Sequence, residues 1–272
     1  MVARPVLRWH GGKWNLAPWI IGHFPAHRCY VEPFGGAASV LLRKPRSYAE
    51  VYGDLDDSVV GLFRVLRGDR ALELVEAIRL TPFARAEFQQ AYEPCDDEVE
   101  KARRLIVRSF MGFGSNGHNR KTGFRANSNR SGTTPARDWA NYPDALATIV
   151  DRLTGVVIEH RDAVEVMLAH DAETTLHYID PPYVMSTRSD AGADYAHELT
   201  DDDHLRLCEA LRDLRGMVIL SGYPNDLYDH ELAGWQRIER AAYADNAKPR
   251  TEVLWINPQA ASADLFNRER AA

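Results

Sequence analysis

Two consecutive prolines, Pro181 and Pro182, close the apolar run Leu176-His177-Tyr178-Ile179. Each proline has a fixed φ and no backbone N–H, so neither a helix nor a sheet ladder continues through the pair. The run reads as a buried strand over Leu176–Ile179 that stops at Asp180-Pro181-Pro182-Tyr183. Other strands are predicted at Tyr30–Phe34, leading into Gly35-Gly36, and at Tyr48–Tyr52, leading to Asp54. Further ones follow at Val156–Glu159, Met217–Leu220, Gln236–Ala242 and Glu252–Ile256. Helical periodicity marks Ala37–Arg43, Asp56–Arg67, Ala71–Leu80, Pro82–Tyr92 with Thr81 as N-cap, Glu98–Met111, Trp139–Leu153 and Ala163–Leu168. A last helix, Asp201–Leu214, opens on a capping box of Thr200 and Asp203. Strands alternating with helices predict an α/β fold with a mostly parallel sheet. The helical stretch 57–147 reads as an insertion into a core formed by 1–56 and 148–272. No internal repeats are present.

In an open α/β sheet, ligands bind beyond the carboxyl ends of the strands, which is where Asp180-Pro181-Pro182-Tyr183 falls. The residue types suit a planar amino group such as that of adenine, whose lone pair is delocalised into the ring. A carboxylate and a stiffly held backbone carbonyl can accept its two N–H bonds and support positive charge developing on the nitrogen. Tyr183 offers a flat face for stacking. The same tetrapeptide also suits a plain strand-terminating turn.

The segment Glu32-Pro33-Phe34-Gly35-Gly36 is a Gly-rich turn between strand and helix, a place where backbone approaches a ligand or merely packs. Asp54, about 20 residues on, suits ribose hydroxyls. No basic residue near the turn calls for a pyrophosphate, so a nucleoside-type cofactor fits better than a dinucleotide. Asp162 can accept from an adenine amino group, or cap the helix that follows it. In Trp9-His10-Gly11-Gly12-Lys13, the indole can cover a sulfonium and Lys13 can reach a carboxylate; a surface turn with a packed Trp reads equally well.

Net charge is −6, yet Lys101 to Arg137 holds nine Lys/Arg and no Asp or Glu, leaving −15 on the other 235 residues. A basic island on an acidic body suits phosphates. Its centre, Arg120-Lys121-Thr122-Gly123-Phe124-Arg125-Ala126-Asn127, adds Arg and Asn suited to guanine and adenine edges. The composition between Gly112 and Ala136 also reads as a solvated loop that gains order on a partner, with Arg120, Lys121 and Arg125 exposed. Arg103, Arg104 and Arg108 precede it on a helix, where some can serve helix pairing instead. Cys29, Cys95 and Cys208 form neither a disulfide framework nor a metal-ligand spacing and read as buried free thiols, which predicts a reducing, cytoplasmic setting. No signal-like or membrane-length apolar run occurs, and no His/Cys/Asp set predicts a metal.

Taken in order, Trp9-His10-Gly11-Gly12-Lys13, Glu32-Pro33-Phe34-Gly35-Gly36, Asp54 and Tyr178-Ile179-Asp180-Pro181-Pro182-Tyr183 resemble the Dam-like DNA adenine-N6 methyltransferases. The resemblance spans Leu7 to Leu220. It implies a Rossmann-like methyltransferase sheet with an inserted, mainly helical target-recognition domain. It further implies S-adenosyl-L-methionine as cofactor, double-stranded DNA as partner, no membrane and no obligatory protein partner. On that resemblance Trp9 and Lys13 border the cofactor pocket, Glu32 to Gly36 form its loop, Asp54 binds the ribose and Asp162 the cofactor adenine. Asp180, Pro181, Pro182 and Tyr183 hold a flipped-out target base, while Arg108, Arg120, Lys121, Arg125 and Asn127 are the DNA-contact candidates. Tyr195-Ala196-His197-Glu198-Leu199 and Ser221-Gly222-Tyr223 are less specific matches. One departure is Ala38, where the family often carries glycine. Competing expectations are an RNA adenine or protein-glutamine methyltransferase, and a catalytically silent DNA-binding homologue. An intact Asp54 and Asp180 speak against the last.

Overall fold

The computed structural model describes residues 2–115, 117, 121–127, 132–188, 197–243 and 249–263. Among them, seven strands form one mixed sheet: β1 (Cys29–Glu32), β2 (Ala49–Gly53), β3 (Val156–Glu159), β4 (Thr175–Ile179), β5 (Met217–Gly222), β6 (Gln236–Tyr243) and β7 (Pro249–Ile256). Their order is β3-β2-β1-β4-β5-β7-β6. β1 pairs in parallel with β2 and β4, and β4 with β5. β7 lies antiparallel to both β5 and β6. A parallel return needs a crossover of a dozen or more residues, and only residues 244–248 separate β6 from β7, so that pair is antiparallel.

The helices are α1 (Ala17–Ile21), α2 (Ser39–Arg43), α3 (Asp57–Arg67), α4 (Ala71–Leu80), α5 (Arg85–Gln90), α6 (Glu98–Met111), α7 (Pro135–Ala140), α8 (Tyr142–Arg152), α9 (Ala163–Ala169), α10 (Asp201–Asp213) and α11 (Asp226–Glu231). The chain gathers into two compact units, a helical one (Met1–Trp14, Gly36–Arg43, Asp56–Ile158) and a sheet one (Asn15–Gly35, Lys44–Leu55, Glu159–Ala272).

In the sheet unit, one face of the strands contributes Ile179, Val218, Leu220, Val253 and Trp255 to a core closed by Leu207, Cys208 and Leu211 of α10 and Tyr228 of α11. Val31 and Val51 extend that face onto Val166 of α9. On alternate residues, Tyr30 and Tyr178 pack against Phe24, with ring centroids 5.7 and 5.9 Å away. The central strands are thus buried on both faces, the usual state of a parallel sheet.

In the helical unit, α3, α4 and α6 bury amphipathic faces, and Asp56 and Asp97 cap α3 and α6. Phe110, Trp139 and Tyr142 cluster, and the Tyr142 hydroxyl donates to the Val6 carbonyl at 2.5 Å. Ser109 of α6 bonds both backbone groups of Arg8, at 2.7 and 3.0 Å, which fixes the segment leading to Trp9.

The structure corrects three local expectations. Thr81 is no N-cap: its hydroxyl donates to Ala77 at 2.7 Å, closing α4, and α5 starts only at Arg85. Pro82 disfavours the helical conformation at Thr81, which sits at φ −79°, ψ 115°. The single helix expected near Trp139–Leu153 is two, broken at Asn141 ahead of Pro143. Of the three free thiols only Cys208 is fully buried; Cys29 and Cys95 are half-buried. No described helix is long and apolar enough to cross a membrane.

Two buried histidines set the acid limit of the fold. His177 of β4 faces Asp171 at 3.3 Å, and His204 of α10 meets the Tyr228 hydroxyl at 2.7 Å. Burial pushes each down to about 4 from 6.5. Above 6.5 both forms of the chain leave them neutral. As pH falls from 6.5 to 4 the unfolded chain takes up protons that the folded chain refuses, so stability drops, by up to about 3 kcal/mol per histidine. Denaturant midpoints should fall across that window, and His177→Gln should flatten the decline.

Candidate functional site

The parallel strands aim their carboxyl ends the same way, and the order reverses between β1 and β4, the position where open α/β sheets take ligands. Asp180 leaves β4 there, half-buried. The Ser221 hydroxyl, at the end of neighbouring β5, donates to Asp180 Oδ1 at 2.7 Å. The Tyr178 hydroxyl lies 3.0 Å from Ser221 Oγ. A carboxylate only accepts, so the serine proton is committed to Asp180 and Tyr178 donates to the serine. Tyr183 is buried with its hydroxyl donating to Glu252 Oε2 at 2.8 Å, and Tyr223 meets its ring edge-on at 4.5 Å. Burial and the Glu252 carboxylate hold the Tyr183 phenol far above its ordinary range, so it stays protonated. Arg188 fastens the same turn, donating to the Tyr183 carbonyl at 2.8 Å while forking onto Glu198.

On β1, Glu32 is buried and accepts from the Tyr30 hydroxyl at 2.7 Å. Pro33 and Phe34 follow, and the Gly35 N–H donates to the Gly53 carbonyl at 2.8 Å. A Cβ on Gly35 would fall inside the Tyr52 ring of β2, so glycine here is a packing necessity. Asp54 continues from β2, its N–H donating to the Glu159 carbonyl of β3 at 3.3 Å. Asp162 caps α9, with Oδ1 accepting from Val164 and Glu165.

In the helical unit, Gly36 has φ +46° and a Cβ there would sit 2.7 Å from Trp9 Nε1, so the indole packs on the turn. Lys13 is buried, its ammonium donating to the Gly11 carbonyl at 2.7 Å. Ala38 adopts φ +51° and is fully buried, so the position where the resemblance leads one to expect glycine does have a glycine-like backbone.

The basic island is more structured than its composition suggests. Gly112 bridges Phe124, the Phe113 N–H donates to Gly123 at 2.7 Å and the Arg125 N–H to Met111 at 2.8 Å. The Phe124 ring lies 5.1 and 5.8 Å from Phe83 and Phe88 and anchors the segment at its middle, while Lys121, Gly123, Ala126 and Asn127 stay exposed, in keeping with the solvated loop expected. Arg125 is not exposed: its guanidinium donates to Phe110 and lies 3.7 Å from Asp138. Lys121 is exposed, 5.6 Å from the Tyr92 ring, and Asn127 is exposed too. Arg108 also lies 5.6 Å from that ring, and burial lowers its affinity for its proton. Arg103 and Arg104 are bound to Glu100 within α6; Arg103 also reaches Glu87 of α5 and so serves helix pairing, while Arg104 donates to the Glu93 and Pro94 carbonyls of the preceding loop. Arg120, Tyr195 and Ala196 lie outside the described residues.

Sequence reasoning did not single out Glu252 or Arg188, nor the bond from Ser221 to Asp180. A lone carboxylate opening the buried run Glu252–Ile256 was the available signal for the first. Among the described residues no group of three or more His, Cys, Asp or Glu could hold a metal ion.

A family model described as D12 class N6 adenine-specific DNA methyltransferase matches residues 9–243. The DNA adenine methylase of Escherichia coli (strain K12) is 30% identical over 119 residues, 42% of each chain. That of Salmonella typhi is 28% identical over 116 residues, 40% of this chain and 41% of the relative. That of Vibrio cholerae serotype O1 (strain ATCC 39315 / El Tor Inaba N16961) is 24% identical over 258 residues, 90% of this chain and 88% of the relative. The match thus spans about two-fifths of the length of the first two relatives and most of the third.

Substitutions at two positions test the geometry of the turn residues. Tyr183→Phe removes a donor from the buried Glu252 carboxylate and should cost about 1–3 kcal/mol in chemical denaturation. Ala38→Val places a β-branched residue at φ +51° and should cost about 2 kcal/mol or more, whereas Ala38→Gly should be tolerated without loss.

Proposed function

Because the chain belongs to the D12 class of N6 adenine-specific DNA methyltransferases, we propose that it transfers a methyl group from S-adenosyl-L-methionine to the exocyclic nitrogen of adenine at a specific site in double-stranded DNA. The observation that carries the reading is Asp180, held by Ser221 at the carboxyl end of a central strand and followed at once by a rigid Pro-Pro-Tyr turn. Adenine inside a duplex hides its amino group in the stack, so the base must rotate out to be reached. In this reading Asp180 and the Pro181 carbonyl accept its two N–H bonds, drawing the nitrogen out of conjugation and supporting its developing positive charge. Pro182 stiffens the turn, and Tyr183 forms the aromatic wall against the base. The Glu252 bond fixes the hydroxyl end of that ring in place.

The residues fit the cofactor. Glu32 and Asp54 bring carboxylates to the ends of β1 and β2 with the Phe34 ring between them in sequence, and Glu32-Pro33-Phe34-Gly35-Gly36 contains no cation. Carboxylates suit ribose hydroxyls and an ammonium, whereas a pyrophosphate would want donors and positive charge. S-adenosyl-L-methionine, when bound, supplies a methyl group already activated on sulfonium. We assign Asp54 to the ribose, Asp162 to the adenine of the cofactor, and Trp9 and Lys13 to the pocket border. The sheet then is of the Rossmann-like methyltransferase kind, with catalysis in residues 1–56 and 148–272 and target recognition in 57–147. Lys121 and Asn127 present exposed groups to DNA, Arg120 is assigned with them, and Arg108 and Arg125 support that surface from behind. The setting of this activity is the cytoplasm.

Mapping of methylated bases in DNA from cells expressing the chain tests the reading: N6-methyladenine should appear within one short sequence. Methylation confined to RNA or to protein would overturn it. Asp180→Ala should lower single-turnover methyl transfer by about 100-fold or more while leaving cofactor affinity near that of the parent. Asp54→Ala should weaken cofactor binding by about 1–3 kcal/mol in calorimetry. For the basic hairpin, Lys121→Ala should weaken binding to cognate and scrambled duplexes alike and reduce the slope of log affinity against log salt by about 1.

A further inference from the structure

The β6–β7 hairpin brings Arg250 and Thr251 to a cleft of about 610 Å³ that is also lined by Thr187, Arg188 and Tyr223. Among the described residues its lining includes two arginines and no carboxylate. The two arginines differ in kind. Arg188 is locked, its guanidinium bonded to the Tyr183 carbonyl and forked onto Glu198 at 2.8 and 2.9 Å, so its charge is answered within the fold. Arg250 is half-buried, and its bond among the described residues is a long one, 3.4 Å, to the Pro249 carbonyl next to it. Among the described residues its guanidinium is therefore the charge that the cleft offers to a ligand. The Thr251 hydroxyl adds a neutral donor, whereas that of Thr187 is spent on the Val184 carbonyl at 2.7 Å.

The cleft adjoins the Asp180–Tyr183 turn through shared residues. Tyr223 lines the cleft and meets Tyr183 edge-on at 4.5 Å. Arg188 lines it too and bonds the Tyr183 carbonyl. On β7, Thr251 lines the cleft and the next residue, Glu252, holds the Tyr183 hydroxyl. A nucleotide whose base lies against Tyr183 carries its sugar and flanking phosphates with it, and those phosphates need a cation and donors wherever they come to rest. We propose that this cleft is a sugar–phosphate subsite for the linkage flanking the target base, with Arg250 on the phosphate and Tyr223 against the sugar. The inference rests on the functional reading above and extends it to a contact made by the sheet unit.

Arg250→Gln keeps length and polarity while removing the charge. The experiment measures binding and turnover of this variant and the parent on a duplex carrying the mapped site, across salt concentrations. The same duplex is then made with a neutral methylphosphonate at each linkage in turn around the target adenine. We expect the variant to bind DNA about tenfold more weakly, with a salt slope shallower by about 1, and with cofactor affinity and kcat near the parent's. One linkage beside the adenine should weaken the parent by a similar factor and leave the variant unchanged. Equal affinity and slope in parent and variant would overturn the subsite. So would losses at every linkage that simply add to the variant's own. A parent that does not methylate the unmodified duplex would overturn the functional reading instead, and the salt slopes on that duplex would still report on the cleft.

Discussion

The bond from Ser221 to Asp180 ties the ends of β4 and β5 together at the place where the chain concentrates its polar groups. Its direction follows from proton count alone, because a carboxylate has nothing to donate. Tyr178 must then supply the hydrogen to Ser221, and the three side chains form a one-way series ending on a single carboxylate oxygen. The turn that carries that oxygen is braced by several described contacts. Two prolines follow it, Arg188 holds the carbonyl of Tyr183, and Glu252 holds its hydroxyl. Such a turn has few ways to relax, which is what a group that must act on one face of a planar base requires.

What the sequence made legible was local. The capping box of Thr200 and Asp203, the cap of Asp162 on α9 and the strand stopped by Pro181 each depend on neighbours a few residues apart. The strand ends that carry Asp54 and Asp180 could be read because apolar runs and breakers reveal them. What escaped was long-range. Glu252 finds Tyr183 across 69 residues, and no pattern near either predicts the pairing. Thr81 shows the reverse failure, since a good capping residue was already engaged by the helix before it.

Counting charges gave the basic island its interest but overstated it. Arg103 and Arg104 are already paired within the helical unit, so the cations turned outward are fewer than the nine in the sequence. Of their acidic partners, Glu100 lies immediately ahead of the island and was excluded from the count only by where it began, whereas Glu87 comes from an earlier helix.

Phe124 changes how a partner would meet that island. A segment held at Phe124 by ring contacts and an isolated backbone bridge has less conformational freedom left to lose than an unanchored loop. Docking then has less chain ordering to offset, and each contact contributes more of its strength to residence time. Recognition through residues 121–127 would follow a template that exists before the encounter, so its speed is governed by collision and charge steering and not by the folding of a loop.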